Sequence, residues 1–239
     1  MIDYSFIFKG DSRPSVLVAC EKSGIVREAF KLKGFNSWSC DIQPPDIPGN
    51  HIQDDVTKLL QLPWSLIIAH PPCTYLSFVC RSHWSDIDRV DNRIRAASFF
   101  MQFFNTPCKF ICVENPNGVM TNIFRPPDQI IHPYYFGDNE MKRTCLWLHN
   151  LPPLPYSLHP ELFSDLPVYP RPNPDRIYKR FKNGKPKKLY FFDRVPPNQE
   201  SRSSIRSQTF QGVAKAMAVT WSPLFYNPYT ALLNFPLSL

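Results

Sequence analysis

The segment Trp64–His70, WSLIIAH, is almost entirely apolar and stops abruptly at two consecutive prolines, Pro71 and Pro72. A short apolar run without polar alternation is typical of a strand buried on both faces in the centre of a parallel sheet. The prolines prevent the strand from continuing, because proline has no backbone N–H to donate. The sequence therefore predicts an α/β fold built around this strand, with a loop that begins at its carboxyl end.

Further segments alternate between the two periodicities that distinguish strands from helices. Strands are predicted at residues 15–20, 36–40, 109–113, 129–136 and 144–148, and helices at residues 25–32, 88–104 and 208–221. In the longest helix, Ile94, Ala97, Phe100, Met101 and Phe104 form the stripe predicted to face the core. Strands that alternate with helices predict a doubly wound, mostly parallel sheet.

The chain changes character near residue 150. Residues 1–150 read as the core domain, residues 151–207 as a small lobe rich in proline, and residues 208–239 as a closing helix and tail that return to the core. The turn signal Lys182-Asn183-Gly184-Lys185 predicts a basic hairpin in the lobe, with strands near residues 179–181 and 188–192.

The net charge of +7 is concentrated in that lobe. Residues 171–207 hold eleven basic and three acidic side chains, so this segment carries +8 and the remainder of the chain −1. Lysines and arginines beside a near-neutral domain are the electrostatic footprint of a nucleic-acid partner, because they displace counterions from phosphates. The alternative is a solvated charged loop, which a run of charge considered alone favours.

Composition and cysteine placement narrow the cellular setting. No apolar run approaches the roughly 20 residues needed to cross a bilayer, and the first ten residues lack the pattern of a secretory signal. The seven cysteines are scattered and odd in number, so they do not form a disulfide framework, and Cys108 and Cys112 are predicted to be core thiols without a metal. We expect a soluble protein of a reducing cytoplasm, the host's if the source is viral, with no obligate protein partner.

Ligands of open α/β sheets bind at the carboxyl ends of the strands, so the residues that end each strand are the most informative. The first strand is followed by a Ser23-Gly24 turn, the second by Asp41, and the region after it by Asp54-Asp55. The strand at 64–70 is followed by Pro-Pro-Cys, and the next strand by Glu-Asn-Pro. Chemically useful groups therefore follow every predicted parallel strand.

The order of these motifs resembles the DNA cytosine-5 methyltransferase family, and most closely its short bacteriophage versions. The resemblance spans nearly the whole chain. Five segments carry it: Cys20–Gly24, His70–Ser77, Glu114–Pro116, Lys142–Leu148 and Gln211–Ala214. It implies the doubly wound fold of class I S-adenosylmethionine-dependent methyltransferases and methylation of carbon 5 of cytosine.

The resemblance also implies catalytic roles. Cys73 would add to C6 of cytosine, Glu114 would hydrogen-bond or protonate N3, Asn115 would fix the loop that aims Glu114, and Arg143 would hold the base or a phosphate. The structural alternatives are a buried thiol for Cys73 and a helix-capping carboxylate for Glu114. A Pro-Pro-Cys turn argues against an interior position for Cys73.

S-adenosyl-L-methionine is the cofactor that the family implies. The residues expected to contact it are Cys20, Glu21, Ser23, Gly24, Asp41, Ile42, Asp55, Val56 and Pro71. Asp41 would hold the ribose hydroxyls, and Asp55 with Val56 the adenine. Asp54 is instead interpreted as the N-cap of a short helix over residues 56–60.

Three positions depart from the pattern of the larger family members. The first turn has one glycine, Gly24, where two are usual, and Cys145 stands where a second arginine is common. The closing helix offers Gln211-Gly212 in place of a Gly-Asn pair.

DNA is the expected partner, and RNA stays open because nothing in the sequence reads a 2′-hydroxyl. A cytosine within a duplex would have to be flipped out of the stack. Candidates for phosphate contact are Lys182, Lys185, Lys187, Lys188 and Arg194, with Tyr190 or Phe192 for stacking.

Two other functions remain compatible with the sequence. An amino-methyltransferase acting on adenine N6 or cytosine N4 also places a Pro-Pro turn after this strand, although His70 and Cys73 suit its chemistry poorly. A catalytically impaired nucleic-acid-binding protein with the same fold is the second alternative, and the altered first turn is its best support.

Overall fold

The computed structural model describes residues 3–78, 87–157, 169–173, 176–179, 186–189 and 209–226. Seven strands form the main sheet: β1 Ser15–Ala19, β2 Asn36–Asp41, β3 His51–Gln53, β4 Leu66–Ala69, β5 Phe110–Pro116, β6 Gln129–Ile131 and β7 Thr144–His149. Their spatial order is β3-β2-β1-β4-β5-β7-β6. Strands β1 to β5 run parallel where they pair, and β7 is antiparallel to both β5 and β6.

Within the described residues, four α-helices accompany the sheet: α1 Ile25–Lys31, α2 Ile87–Gln102, α3 Met120–Ile123 and α4 Gln211–Trp221. The side chains of β1 alternate between two cores, with Leu17 in the one that α2 covers and Val16 in the one that α1 and α4 cover. Helices on both faces leave the central strands without a solvated side, which explains their apolar composition. The predicted fold class is confirmed as far as its architecture: the sheet is doubly wound and mostly parallel.

Two local predictions were wrong. Residues 129–136 do not form one strand, because β6 ends at Ile131 and a 3-10 helix, Pro133–Phe136, follows with proline at its first position. In α2, Ile94 is 62% exposed while Phe103 is fully buried, so the buried row of this helix includes Ala97, Phe100 and Phe103.

The closing helix α4 packs its apolar side, including Val213, Met217 and Trp221, into the core beside α1. Cys108 and Cys112 are buried, as predicted for core thiols. In the lobe, β8 Arg176–Lys179 pairs with β9 Pro186–Leu189 in antiparallel register, so the hairpin exists with both strands earlier in sequence than expected. No helix within the described residues is long and apolar enough to span a membrane.

Candidate active site

The carboxyl ends of β1, β2, β4 and β5 lie at one edge of the sheet because these strands run in the same direction. This edge carries Cys20, Asp41, His70 and Glu114 at or just beyond the strands. The antiparallel β7 brings its amino end, Thr144, to the same edge, opposite Pro116 of β5. Residues that precede β7 therefore join residues that follow the parallel strands.

Cys73 lies at the first position of a turn in this edge. Its carbonyl oxygen accepts the backbone N–H groups of Leu76 and Ser77, both at 3.0 Å. Pro71 is buried, whereas Pro72 and Cys73 are exposed. The paired prolines have ended the strand, and the thiol is thereby placed at the surface of the sheet edge rather than in the core.

The Cys73 turn is fastened to the segment that follows Glu114. The Asn115 side-chain amide donates to the Pro71 carbonyl oxygen at 2.8 Å. The backbone N–H of Val119 donates to the Leu76 carbonyl oxygen at 2.8 Å, and that of Phe78 to Asn117 at 3.3 Å. These bonds hold the two loops as one unit, so the position of the thiol is coupled to that of the carboxylate.

Glu114 and His70 form a buried pair. Nδ1 of His70 lies 3.1 Å from Oε2 of Glu114, and the two side chains are 8% and 16% exposed respectively. Burial raises the pKa of Glu114, but the charge of Lys142 and the hydrogen bond and charge of His70 outweigh it, so the pKa lies below its ordinary value. The carboxyl is therefore ionised and can only accept, which requires Nδ1 of His70 to carry the proton.

The pair borders a small cavity of about 20 Å³ that is partly open to solvent. Its polar wall is formed by His70, Glu114, Lys142 and Thr144, and its apolar wall by Phe210, Val213 and Met217 of and beside α4. Two buried polar atoms, Nε2 of His70 and Oε1 of Glu114, have no hydrogen-bond partner within the described residues. Buried polar atoms normally have partners, so their orphaned state is a feature expected of a ligand site.

Lys142 is a residue of this cavity that the sequence reasoning missed in favour of Arg143. Thr144 lines the cavity while Cys145 lies in the opposite core, as alternation along a strand requires. Arg143 is exposed, and its charge acts on Cys145 and on His132. The structure thus brings Lys142, and not Arg143, together with Glu114; the signal was available in the two-residue period leading into β7.

The predicted cofactor residues gather at the ends of β1 to β3. Cys20 has a left-handed backbone, with φ of 58°. Burial, and then the negative charges of Asp41 and Asp55 together with the neighbouring Cys40 thiol, raise the pKa of the Cys20 thiol far above its ordinary range. Cys20, Asp41 and Asp55 therefore lie within electrostatic reach of one another.

Glu21 directs its carboxylate into the first turn of α1. Oε1 accepts the Ser23 hydroxyl at 2.9 Å and the Val26 N–H at 2.8 Å, and Oε2 accepts the Arg27 N–H at 3.3 Å. The carboxylate thereby satisfies helix N–H groups that would otherwise lack acceptors. Gly24 has φ of +72°, and a Cβ there would lie 2.6 Å from Nη2 of Arg27, so the turn needs this glycine.

Asp41 and Ile42 face outwards at the end of β2. Oδ1 of Asp41 accepts the Gln43 N–H at 2.9 Å, which leaves its second oxygen directed away from that bond. Ile42 is 74% exposed, a large apolar surface beside the cluster of carboxylates. An exposed isoleucine next to a strand-end aspartate suits a ligand with both a flat apolar part and hydroxyl groups.

The N-cap assignment to Asp54 was wrong. Asp55 caps the 3-10 helix Val56–Lys58, because its Oδ1 accepts the Thr57 N–H at 2.9 Å. Asp54 instead accepts the Tyr4 hydroxyl and, at 2.6 Å, the Lys58 ammonium. Asp55 is exposed, so capping leaves its other oxygen accessible to a ligand.

Arg27 fixes the proline-rich loop that follows Asp41. Its guanidinium is fully buried and donates to Ser39 Oγ at 2.9 Å and to the carbonyl oxygens of Ile47 and Pro48 at 3.1 and 3.0 Å. The backbone N–H of Asp46 also donates to Lys22 at 2.8 Å. This loop is thus held against the first turn.

Most of the residues predicted to contact nucleic acid are outside the described part of the chain. Lys182, Lys185, Arg194, Tyr190 and Phe192 lie outside the described residues, as do the side chains of Lys187 and Lys188 in β9. Within the lobe, Arg171 is exposed, and its Nε lies 3.3 Å from Sδ of Met141. Arg171 is therefore close to the residue that precedes Lys142.

Comparison with known proteins finds similar solved structures but no matching sequence. No family model matches the sequence, and no curated protein matches it. The structure is similar to the methyltransferase EhMeth of Entamoeba histolytica, with 15% identity, a TM-score of 0.40, and coverage of 62% of this chain and 56% of that one. It is also similar to the 16S rRNA methylase RmtB, with 14% identity, a TM-score of 0.28, and coverage of 61% and 58%. The chain thus spans little more than half the length of either, and its function has to rest on the residues of the site.

Proposed function

We propose that this chain is an S-adenosylmethionine-dependent methyltransferase that methylates carbon 5 of cytosine in DNA through a covalent adduct with Cys73. One observation carries the proposal. The exposed thiol of Cys73 stands on a loop that is hydrogen-bonded to the segment behind Glu114, and Glu114 lies in a cavity with two orphaned polar atoms. A surface nucleophile coupled to a buried carboxylate is what addition to a nitrogen heterocycle requires.

The reaction needs a nucleophile because C5 of cytosine is unreactive until a group adds to C6. The thiolate of Cys73 forms the S–C6 bond, and the electron pair of the C5–C6 double bond moves into the ring towards C4 and N3. Glu114 is ionised in the free protein, so it would take up a proton as the base binds and then hydrogen-bond N3, where negative charge develops. Asn115 acts as a positioning residue, since its amide holds the carbonyl of Pro71 two residues before Cys73.

The residues at the ends of β1 to β3 fit the cofactor. Asp41 has an accessible oxygen for the ribose hydroxyls, Ile42 offers exposed apolar surface, and Asp55 keeps one oxygen available for an amino group. When bound, S-adenosylmethionine supplies a methyl group activated by positive sulfur. Cys73 would leave C6 as the C5 proton is lost and the C5–C6 double bond re-forms. Because the Glu21 carboxylate is engaged by α1, the backbone of this turn would hold the methionine portion.

The basic lobe supplies the expected contact with the nucleic-acid backbone. Arg143 and Arg171 are exposed beside the cavity and are available for phosphates. The predicted lysines, from Lys182 to Lys188, with Arg194, would extend this contact along the strand.

A methylation assay decides the function. DNA and RNA are incubated with labelled cofactor, and the product is hydrolysed and identified by base-resolved mass spectrometry; we expect 5-methylcytosine from DNA. Wild-type protein should also form a denaturation-resistant adduct with DNA containing 5-fluorocytosine. Cys73→Ala should abolish both signals, whereas Thr74→Ala, at the adjacent exposed position, should keep them.

The same assay separates the other two functions. N4-methylcytosine or N6-methyladenine that persists in Cys73→Ala would identify an amino-methyltransferase and exclude C5 chemistry. Absence of any methylated product, together with no cofactor affinity by calorimetry, would leave a nucleic-acid-binding protein. A methylated cytosine in RNA alone would keep the chemistry and change the substrate.

A further inference from the structure

A groove open to solvent lies at the edge of the sheet opposite the candidate active site, with a volume of about 570 Å³. It runs along the residues that precede β4 and β5, so it faces away from the strand ends that carry Cys73 and Glu114. Its apolar lining is formed by Pro63, Trp64, Pro107, Phe110 and Phe225, and its polar lining by Gln61, Ser65 and Lys109. Mostly apolar depressions of several hundred Å³ are the surfaces at which proteins bind ligands or other chain segments.

Hydrogen bonds hold the walls of this groove in place. Nε1 of Trp64 donates to the Leu59 carbonyl oxygen at 2.8 Å, and Nε2 of Gln61 donates to the Asn105 carbonyl oxygen at 3.1 Å. Both of the lining prolines are exposed. The groove is therefore already formed, and no described residue covers its prolines.

Phe225, which lines the groove, is followed by the last described residue of the chain, Tyr226. The Phe225 ring packs edge-on against Phe110 and Phe35, at centroid separations of 5.0 and 5.4 Å. Tyr226 packs against Phe35 at 5.3 Å, and its hydroxyl donates to the Lys33 carbonyl oxygen at 2.9 Å. The chain therefore leaves the described region from a fixed point on the wall of the groove.

The sequence that follows Tyr226 has a pattern suited to covering such a surface. Residues 227–239, NPYTALLNFPLSL, carry no charged side chain. From position 233 onwards large apolar residues occur at every second position: Leu233, Phe235, Leu237 and Leu239. This period of two places all four side chains on one side of an extended segment, as in a strand that is buried on one face.

We propose that residues 233–239 occupy the groove of their own chain, with the four alternating apolar side chains directed at its apolar lining. The length of the chain suits this return, because residues 227–232 can span about 20 Å when extended and the groove begins at Phe225 itself. Asn227-Pro228 is a sequence that favours a turn, and it comes directly after the anchored residues.

The charges of the two surfaces agree with this assignment. Lys109 is the one charged side chain among the described residues that line the groove; it is exposed, with its ammonium 5.5 Å from the centre of the Phe110 ring. A segment without charged side chains can bury its apolar side there without leaving an ion unpaired. The inference goes beyond the proposed function and does not depend on it, since the groove and the candidate active site lie at opposite edges of the sheet.

Thermal unfolding of the full chain is the first test. Phe235→Asp places a charge among the side chains directed at the groove, so the unfolding temperature should fall by at least about 5 °C. Asn234→Asp is the matched control, because it adds the same charge on the other side of the segment; its unfolding temperature should change by no more than about 2 °C. Equal shifts in the two variants, including no shift in either, would overturn the proposal.

A photocrosslink from position 235 shows where the segment lies. The full chain is prepared with p-benzoylphenylalanine in place of Phe235, irradiated, and digested for tandem mass spectrometry. We expect crosslinks to residues of the groove, such as Trp64 or Phe110, in a product with the mass of one chain. The same group in place of Asn234 should crosslink to these residues several-fold less.

The remaining outcomes would each overturn the proposal. A crosslinked product with the mass of two chains would assign the groove to a second copy of the protein. Crosslinks that lie only outside the groove, or no crosslinks, would leave the groove to a different ligand. None of these results affects the proposed methyltransferase function, which the 5-fluorocytosine adduct tests separately.

Discussion

The α-carbon of Gly118 lies so close to Leu76 that a methyl group on it would be 2.0 Å from the Leu76 carbonyl oxygen. This contact joins the segment after Glu114 to the turn that presents Cys73. A glycine is required here by proximity, because the obstructing atom belongs to the backbone and cannot rotate away.

Gly118→Ala should therefore separate the two loops. We expect a loss of about 1–3 kcal/mol in the free energy of unfolding, typical of overpacking, and a larger effect on the adduct. A displacement of the thiol by about 1 Å would lower the rate of 5-fluorocytosine adduct formation about 10²-fold. Urea unfolding and a gel assay of the adduct measure the two quantities.

Gly10→Ala is the control for that change, since Gly10 has φ of +74° with nothing within 4 Å of a new Cβ. It should cost stability through backbone strain while the adduct rate stays unchanged. If Gly118→Ala and Gly10→Ala lost the same fraction of adduct, the loss would come from lower stability and not from displacement of the Cys73 thiol.

Lys142 and Arg143 should differ in what they contribute. Lys142→Met removes a positive charge from the cavity, so methyl transfer should fall about 10²-fold, as for loss of one transition-state donor. Because the Lys142 charge lowers the pKa of Glu114, that pKa should rise in the variant. Arg143→Met should leave the single-turnover rate at saturating DNA near wild type and reduce the dependence of binding on salt by about one phosphate contact. If Arg143→Met lowered the single-turnover rate and Lys142→Met changed only the salt dependence of binding, the placement of Lys142 rather than Arg143 in the cavity would be wrong.

Lys142 and Arg143 show why the sequence did not predict every residue that lines the cavity. The ends of β1, β2, β4 and β5 could be read from sequence because parallel strands all present their carboxyl ends to one edge, and this identified Asp41, Cys73 and Glu114. Strand β7 runs the other way, so the residues that reach this edge are at its amino end, and Lys142 of the cavity precedes it. The direction of a strand follows from pairing partners far away in sequence, here β5 and β6, and periodicity alone does not determine it.

Local packing explains the smaller misses. The aromatic stripe of α2 contained two overlapping rows at helical spacing. The core buries the row with Phe100 and Phe103, and Phe100 packs against Trp147 of β7 at a ring separation of 5.2 Å. After β6, Pro133 removes a strand donor and begins a helical turn that Gly137 ends with a left-handed backbone. The buried row of α2 depends on tertiary neighbours, and the end of β6 depends on a single proline. The pattern of hydrophobic residues determines neither.

Arg27 is expected to be essential for the loop between β2 and β3. Arg27→Met would leave Ser39 Oγ and the carbonyl oxygens of Ile47 and Pro48 without their donor, at a cost of about 3 kcal/mol in the free energy of unfolding. Affinity for S-adenosylmethionine should fall with it, because the loop continues from Asp41.

The matched control is Lys31→Met: Glu28 forms ion pairs with both Arg27 and Lys31, and of these two cations Lys31 is the exposed one. An exposed ion pair of this kind contributes at most about 1 kcal/mol, so little change is expected in either quantity. Calorimetric titration of the cofactor and urea unfolding distinguish the two variants.

Asp54 should make the protein sensitive to acid. Hydrogen bonds from Lys58, Tyr4 and the Asp55 N–H lower its pKa to about 2. A group with a depressed folded-state pKa stabilises fully above its unfolded value near 4, and that stabilisation is lost as pH falls towards 2. Asp54→Asn should flatten the decline in thermal unfolding temperature over this interval, whereas Asp46→Asn, in an exposed ion pair, should keep it.

The hydrogen bond that the Tyr4 hydroxyl donates to Asp54 also affects stability at alkaline pH. With burial, it raises the pKa of Tyr4 to about 12, so its stabilisation is complete below pH 10 and is lost between pH 10 and pH 12. Tyr4→Phe should remove this alkaline decline. Unchanged titration of unfolding in that variant would show that another group is responsible.

The left-handed backbone of Cys20 affects the free energy of the folded chain, and the choice of cysteine over glycine affects that of the unfolded chain. A non-glycine residue in this conformation is strained by about 1 kcal/mol, yet a glycine would enlarge the conformational freedom of the unfolded chain by a comparable free energy. The two effects nearly cancel, so folding is indifferent to whether this turn has a second glycine. The thiol, which packs against the core, can therefore be kept at this position at no net backbone cost relative to glycine.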